Sequence, residues 1–228
     1  MEVEQQVTRV LAIRHGETAW NVDGRIQGQL DVPLNEIGRR QVLRLGRALV
    51  DEDIAAVYSS DLLRALDTAK ALVQGREQSV TTDVGLRERG FGVFEGLSYA
   101  EINERWPVDA ERWRKRDAGF GAPGGETLRQ FYERSIATAT RLAARHPGRT
   151  IALVSHGGVM DCLYRAAARV ALDAPRSWQL VNAGINRLLY TPQGFTLVGW
   201  SDTGHLDDAS LDEDGDHGRP AQPFASTA

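Results

Sequence analysis

Two histidines, His15 and His156, stand in the same local setting although they are far apart in the chain. Each follows a short apolar run, residues 7–13 and 150–154, and each is followed by glycine, in Arg14-His15-Gly16 and Ser155-His156-Gly157-Gly158. A neutral imidazole is a ready nucleophile, because its reference pKa of about 6.5 leaves it mostly unprotonated at pH 7. Arginine suits a phosphate, since the guanidinium donates in pairs and keeps its charge. Arg14 beside His15 supplies such a cation. Phosphoryl transfer through an enzyme nucleophile calls for such a set: an unprotonated nucleophile, cations around the phosphate oxygens, an acid for the departing oxygen, and in-line geometry.

The elements that must position these residues read as alternating strands and helices. Residues 7–13, 55–58, 80–82 and 150–154 have strand character, and residues 185–190 and 195–200 form a hairpin around Pro192-Gln193-Gly194. A helix follows Pro33-Leu34-Asn35 with Ile37, Val42, Leu45, Leu49 and Val50 on one face. A second runs over 62–73, with Ser59-Ser60-Asp61 offering capping oxygens, a third over 127–144, and a fourth from near Val159. Residues 84–125 read as irregular, with Trp106 and Trp113 expected to pack rather than to stack on a substrate. This pattern predicts an α/β fold, a mostly parallel central sheet flanked by helices on both faces. Ligands in such sheets sit beyond the carboxyl ends of the strands, where both histidines fall. The backbone at Gly157 opens a helix, whose N-terminus favours an anion.

Length and composition set the bounds. The chain has 228 residues, 42% hydrophobic and 25% charged, which fits one ordinary domain at residues 1–203. Residues 202–228 hold seven acids and one base, so residues 204–228 are expected to be an acidic, disordered tail. Asp212–Asp216 has the wrong offsets for a calcium loop. The rest of the chain carries a net charge of +2 without a basic stripe, which excludes nucleic acid as the expected partner. A lone cysteine, Cys162, cannot form an internal disulfide and reads as a buried helix residue. The start MEVEQQVTRV lacks a signal-peptide run and no stretch is long enough to span a bilayer, so a cytoplasmic protein acting away from membranes is expected. His146, His205 and His217 receive no role. The hairpin could pair across a homodimer.

Taken together, the segments resemble the histidine phosphatase superfamily, the phosphoglycerate mutase-like fold. They are Arg14-His15-Gly16-Glu17-Thr18, residues 25–34, Ser59–Ala65 with Thr68-Ala69, Leu86-Arg87-Glu88-Arg89 with Phe94-Glu95-Gly96, Gly124-Gly125-Glu126-Thr127 and Val154-Ser155-His156-Gly157-Gly158. The resemblance runs from about residue 8 to 200. It implies that His15 becomes phosphohistidine, that Arg14, Arg64 and His156 bind the transferred group, and that Glu88 is the general acid. It places Asn21, Gln27, Gly28 and Arg89 near the phosphate or substrate. The implied activity is metal-independent hydrolysis of small phosphomonoesters, without a cofactor. Its alternative is a phosphoglycerate mutase dependent on 2,3-bisphosphoglycerate; Glu88-Arg89 and Trp113-Arg114-Lys115 resemble mutase segments, whereas the compact stretch from Glu88 to Glu126 and Phe94-Glu95-Gly96 resemble phosphatases. A non-catalytic phospholigand-binding module is a second alternative.

Overall fold

The structure, a computed structural model, describes residues 7–207. Strands β1 (Thr8–Arg14), β2 (Ile54–Ser59), β3 (Val80–Thr82) and β4 (Thr150–Ser155) are mutually parallel, and β5 (Ile185–Thr191) and β6 (Gly194–Asp202) add an antiparallel hairpin. The sheet order is β3-β2-β4-β1-β5-β6. The pairing of β1 with β4 puts Arg14 opposite Ser155. His15 and His156 therefore leave neighbouring strands at the same edge, which is the physical reason that two residues distant in sequence share one crevice.

Alternate strand residues serve opposite faces, and each face is covered. On one side lie α2 (Glu36–Ala48) and α3 (Leu63–Val73), where Leu45, Leu49 and Leu72 meet Leu11, Ile13, Val57 and Val154. On the other lie α6 (Leu128–Ala143) and α7 (Gly157–Ala168), where Phe131, Leu142 and Leu163 meet Val10, Ala12 and Leu153. Because both faces are buried, β4 carries no polar alternation and all six of its residues are buried. Cys162 is buried among them.

Several details depart from the sequence reading. Of the expected apolar face at α2, Val42, Leu45 and Leu49 are buried, but Ile37 in the first turn and Val50 beyond the helix end are 47% and 63% exposed. At the α3 N-terminus Ser60 Oγ accepts from Leu62 N–H at 3.3 Å, as expected, but the first helical amide is taken from outside Ser59-Ser60-Asp61. Leu63 N–H donates instead to Asp31 Oδ1 at 2.7 Å, while Asp61 pairs with Arg87. The stretch expected to be irregular contains α4 (Tyr99–Arg105) and α5 (Pro107–Arg114). With Phe94, Phe120 and Ala122 they build a small separate core, against which Trp106 and Trp113 pack. Directly after residue 203, α8 (Gly204–Asp207) sets Leu206 against the α2/α3 side, where Arg44 donates to the Leu206 carbonyl. The remainder of the expected tail, including Asp212–Asp216 and His217, lies outside the described residues. Among the described residues no helix is long and apolar enough to cross a membrane.

Candidate active site

His15 is almost fully buried at the end of β1, and its backbone is fixed from two sides. His15 N–H donates to Ser155 O at 2.9 Å, and His15 O accepts from Asn182 Nδ2 at 2.9 Å and Ala183 N–H at 3.2 Å. The ring is oriented by Nδ1, which lies 2.7 Å from Gly16 O. A carbonyl only accepts, so Nδ1 carries the proton and Nε2 keeps its lone pair. Gly16 permits the close turn: a Cβ there would lie 2.8 Å from Gly38 O.

His156 sits beside it, ring centroids 5.3 Å apart, and is fully buried with no partner for either ring nitrogen. Both histidines are held well below the ordinary imidazole pKa, first by burial and then by the charges of Arg14 and Arg64. Both rings are therefore neutral at pH 7, as a nucleophile must be.

Arg64 is fully buried and held by two carbonyls, Leu30 O at 2.7 Å and Gly28 O at 2.8 Å, leaving Nε without a partner. Burial lowers its pKa, and Glu88, Asp31 and Glu95 oppose that. These carboxylates and carbonyls offset a cation near a helix start, so a bound phosphate is not needed to place it. Gly28 takes φ +50°, and a Cβ would fall 2.2 Å from Glu95 Oε1, so its part in the site is to aim a carbonyl at Arg64. Arg14 donates to Leu180 O, also leaves Nε unpaired, and is pushed down to about 10 by burial, which keeps it charged at pH 7.

Glu88 faces this group from the loop before α4. Its Oε1 accepts from Arg89 N–H at 2.8 Å and its Oε2 from Gly158 N–H at 3.0 Å, in the first turn of α7. Arg134 fixes the loop: it donates to Gly85 O, Arg87 O and Glu88 O, and pairs through two bonds with Glu126. Asn182, Arg134 and Glu126 are thus site-building residues that the sequence reading did not single out. Only the helix-opening Gly-Gly-Glu motif hinted at Glu126.

The cavity at the centre is about 210 Å³, and Arg14, His15, Asn21, Gln27, Gly28, Arg64 and Glu88 all line it. Asn21 Oδ1 is used to cap α1 (Ala19–Val22) and to accept from Asn182, while Gln27 Oε1 is buried without a partner. Gly157 stands at the start of α7 against the Arg14 guanidinium, where a Cβ would lie 3.4 Å from Arg14 Nε. Arg89 is the exception. Its guanidinium turns away from the cavity to donate to Phe120 O at 2.7 Å and Glu126 O at 3.0 Å, over the Phe91 ring. There it satisfies two carbonyls of a buried loop, which need a donor. His146 bonds Tyr58 OH at 2.8 Å, far from the site in sequence and role.

Fold and site together define an enzyme of phosphoryl transfer. The model of the histidine phosphatase superfamily, branch 1, matches residues 10–203. The chain is 35% identical over 210 residues to phosphoglycerate mutase-like protein 4 of Arabidopsis thaliana, covering 90% of each chain. It is equally similar, 35% over 209 residues, to the metal-independent phosphoserine phosphatase of the same plant, covering 90% of this chain and 86% of that one. A mycobacterial glucosyl-3-phosphoglycerate phosphatase, solved with VO3, superposes with a TM-score of 0.75 at 32% identity, covering 86% of this chain and 99% of that one. The chain belongs to the histidine phosphatase superfamily, branch 1.

Proposed function

We propose that the chain is a metal-independent phosphomonoesterase in which His15 Nε2 accepts the phosphoryl group and passes it to water. One observation carries this: around His15, buried donors of Arg14, Arg64 and His156 have no hydrogen-bond partner, although buried polar groups are nearly always satisfied. A phosphoryl group's equatorial oxygens would accept from them as charge builds there. His15 Nε2 attacks phosphorus, the P–O bond breaks, and Glu88 protonates the departing oxygen. Water then attacks phosphorus, Glu88 takes its proton, and the P–N bond breaks to release inorganic phosphate. Positioned proton transfer of this kind contributes about 10²–10⁴ in rate.

Hydrolysis fits better than mutase action, which would use 2,3-bisphosphoglycerate to prime His15. The side chains behind the mutase resemblance are engaged elsewhere: Arg89 holds carbonyls, Arg114 and Lys115 pair with Glu111, and Trp113 packs on Phe91, Phe94 and Tyr99. The relatives named as phosphatases support the same choice, and the one named metal-independent supports a route without a cofactor. Substrates on this reading are small phosphorylated metabolites of the cytoplasm, such as phosphosugars, phosphoglycerates or nucleotide monophosphates. The test is incubation with chelator present, separately with an aryl phosphate and with 3-phosphoglycerate plus catalytic 2,3-bisphosphoglycerate. Release of inorganic phosphate that His15→Ala abolishes is expected; conversion to 2-phosphoglycerate with little free phosphate would overturn the proposal.

A further inference from the structure

A second cavity, of about 570 Å³, shares Arg14 with the His15 cavity and is bounded by Gly157 and Gly158 at the α7 N-terminus and by the segment before β5. Arg176 lines it. Among the described residues Arg176 forms no hydrogen bond or ion pair, whereas the other arginines around the site are committed to carbonyls or carboxylates. Its charge lies close enough to Arg14 to depress the pKa of that residue. Two guanidiniums and a helix N-terminus border this cavity and no carboxylate lines it; of the lining, Glu88 hydrogen-bonds only the Gly158 amide, so Arg176 adds positive charge that no side chain of the lining offsets.

The placement of Arg176 is not left to a loose loop. On its N-terminal side, buried Arg165 donates to Ala174 O at 2.9 Å and Arg116 donates to Leu172 O at 2.9 Å. On its C-terminal side, Trp178 stacks on Tyr164 with centroids 3.9 Å apart, under the Arg165 guanidinium, and Gln179 O accepts from Trp200 Nε1 at 2.8 Å. Arg165 is itself fixed by Asp161, with its side chain fully buried. Pro175 restricts the backbone just before Arg176. A rigid segment thus holds one exposed cation beside the phosphoryl clamp, at little ordering cost when a ligand arrives.

Resting on the phosphatase reading, we propose that Arg176 is a specificity-determining residue that binds a second anionic group of the substrate, a carboxylate or a further phosphate, while Arg14, Arg64 and His156 hold the phosphoryl group. Preferred substrates are then phosphomonoesters with a second anion a few bonds from the ester, rather than neutral phosphorylated alcohols.

The test compares 3-phosphoglycerate with glycerol 3-phosphate, which differ only in a carboxylate against a hydroxymethyl group; 2,3-bisphosphoglycerate adds a second phosphate and distinguishes the two anions. The wild-type protein is expected to favour the substrates with a second anion in kcat/KM. Arg176→Gln should cost those substrates about tenfold to a hundredfold, as expected for one charge-assisted hydrogen bond, and leave glycerol 3-phosphate within about twofold. Arg176→Lys should restore part of the preference. Equal effects of Arg176→Gln on both esters, or none, would overturn the inference while leaving the phosphatase reading intact. If no ester is hydrolysed, the phosphatase reading fails by itself. Calorimetric titration of the same pair then decides the inference: a Kd difference that Arg176→Gln removes supports it, and equal Kd values in the wild-type protein overturn it.

Discussion

Glu88 Oε2 accepts the Gly158 amide at 3.0 Å, and a Cβ at position 158 would stand 2.1 Å from Glu88 Oε1. Glu88, the proton donor of the proposed mechanism, and the helix that opens behind His156 are therefore locked by the lack of one side chain. This makes Gly158→Ala an informative change. Alanine is favoured over glycine in a helix by about 1 kcal/mol, so helix propensity itself does not disfavour the variant. We expect kcat/KM for alkyl phosphates to fall about 10²–10³-fold as Glu88 is displaced, and much less for aryl phosphates, whose leaving oxygen needs no proton. Rates across a leaving-group series, with a thermal melt to detect strain against Phe131 3.0 Å away, check this. A uniform loss over the series would contradict it.

The pH behaviour follows from the two buried histidines. Their folded pKa values lie well below 6.5, so they bind protons only in the unfolded chain as pH falls below that value. Folding stability is then complete above about pH 6.5 and declines as pH drops, by up to about 1.4 kcal/mol per pH unit for each histidine. Denaturant unfolding at pH 7.5, 6.5 and 5.5 reads the slope. Imidazole NMR signals of His15 and His156, assigned from His15→Gln and His156→Gln, should titrate well below the ordinary imidazole range.

Arg89 separates a structural from a substrate-binding role. Arg89→Gln leaves Phe120 O and Glu126 O short of a donor in a buried loop, at about 1–3 kcal/mol per group. We predict a lower melting temperature with KM for phosphate esters changed less than about threefold. A large rise in KM without loss of stability would return Arg89 to the substrate.

The parts of the site that the sequence made legible are those tied to strand ends. His15 and His156 were readable because an apolar run followed by glycine marks where a parallel strand stops, and β1 and β4 are neighbours in the sheet. Side-chain direction in loops was not readable. Arg89 and Glu88 are adjacent in sequence yet point to different surroundings, and nothing in their types says which carbonyls Arg89 will meet. At the α3 start Ser60 Oγ takes the Leu62 amide, as the local sequence suggests, but the Leu63 amide goes to Asp31, more than thirty residues upstream, where a local search cannot find it. Helices α4 and α5 were hidden because each buries a single residue, Ile102 and Ala110, too few to print an apolar period. Arg134 belongs to no motif and its type alone gives no sign that it staples the Glu88 loop.

In the proposed mechanism the phosphoryl group rests on His15. Rapid quenching of the enzyme during turnover of a phosphorus-labelled ester, under alkaline conditions that preserve phosphohistidine, followed by peptide mass spectrometry, tests it most directly. Label is expected on His15, approaching one group per chain when breakdown is slow, with no label or activity in His15→Ala. Full activity in His15→Ala, or label on another residue of the wild-type protein, would contradict it.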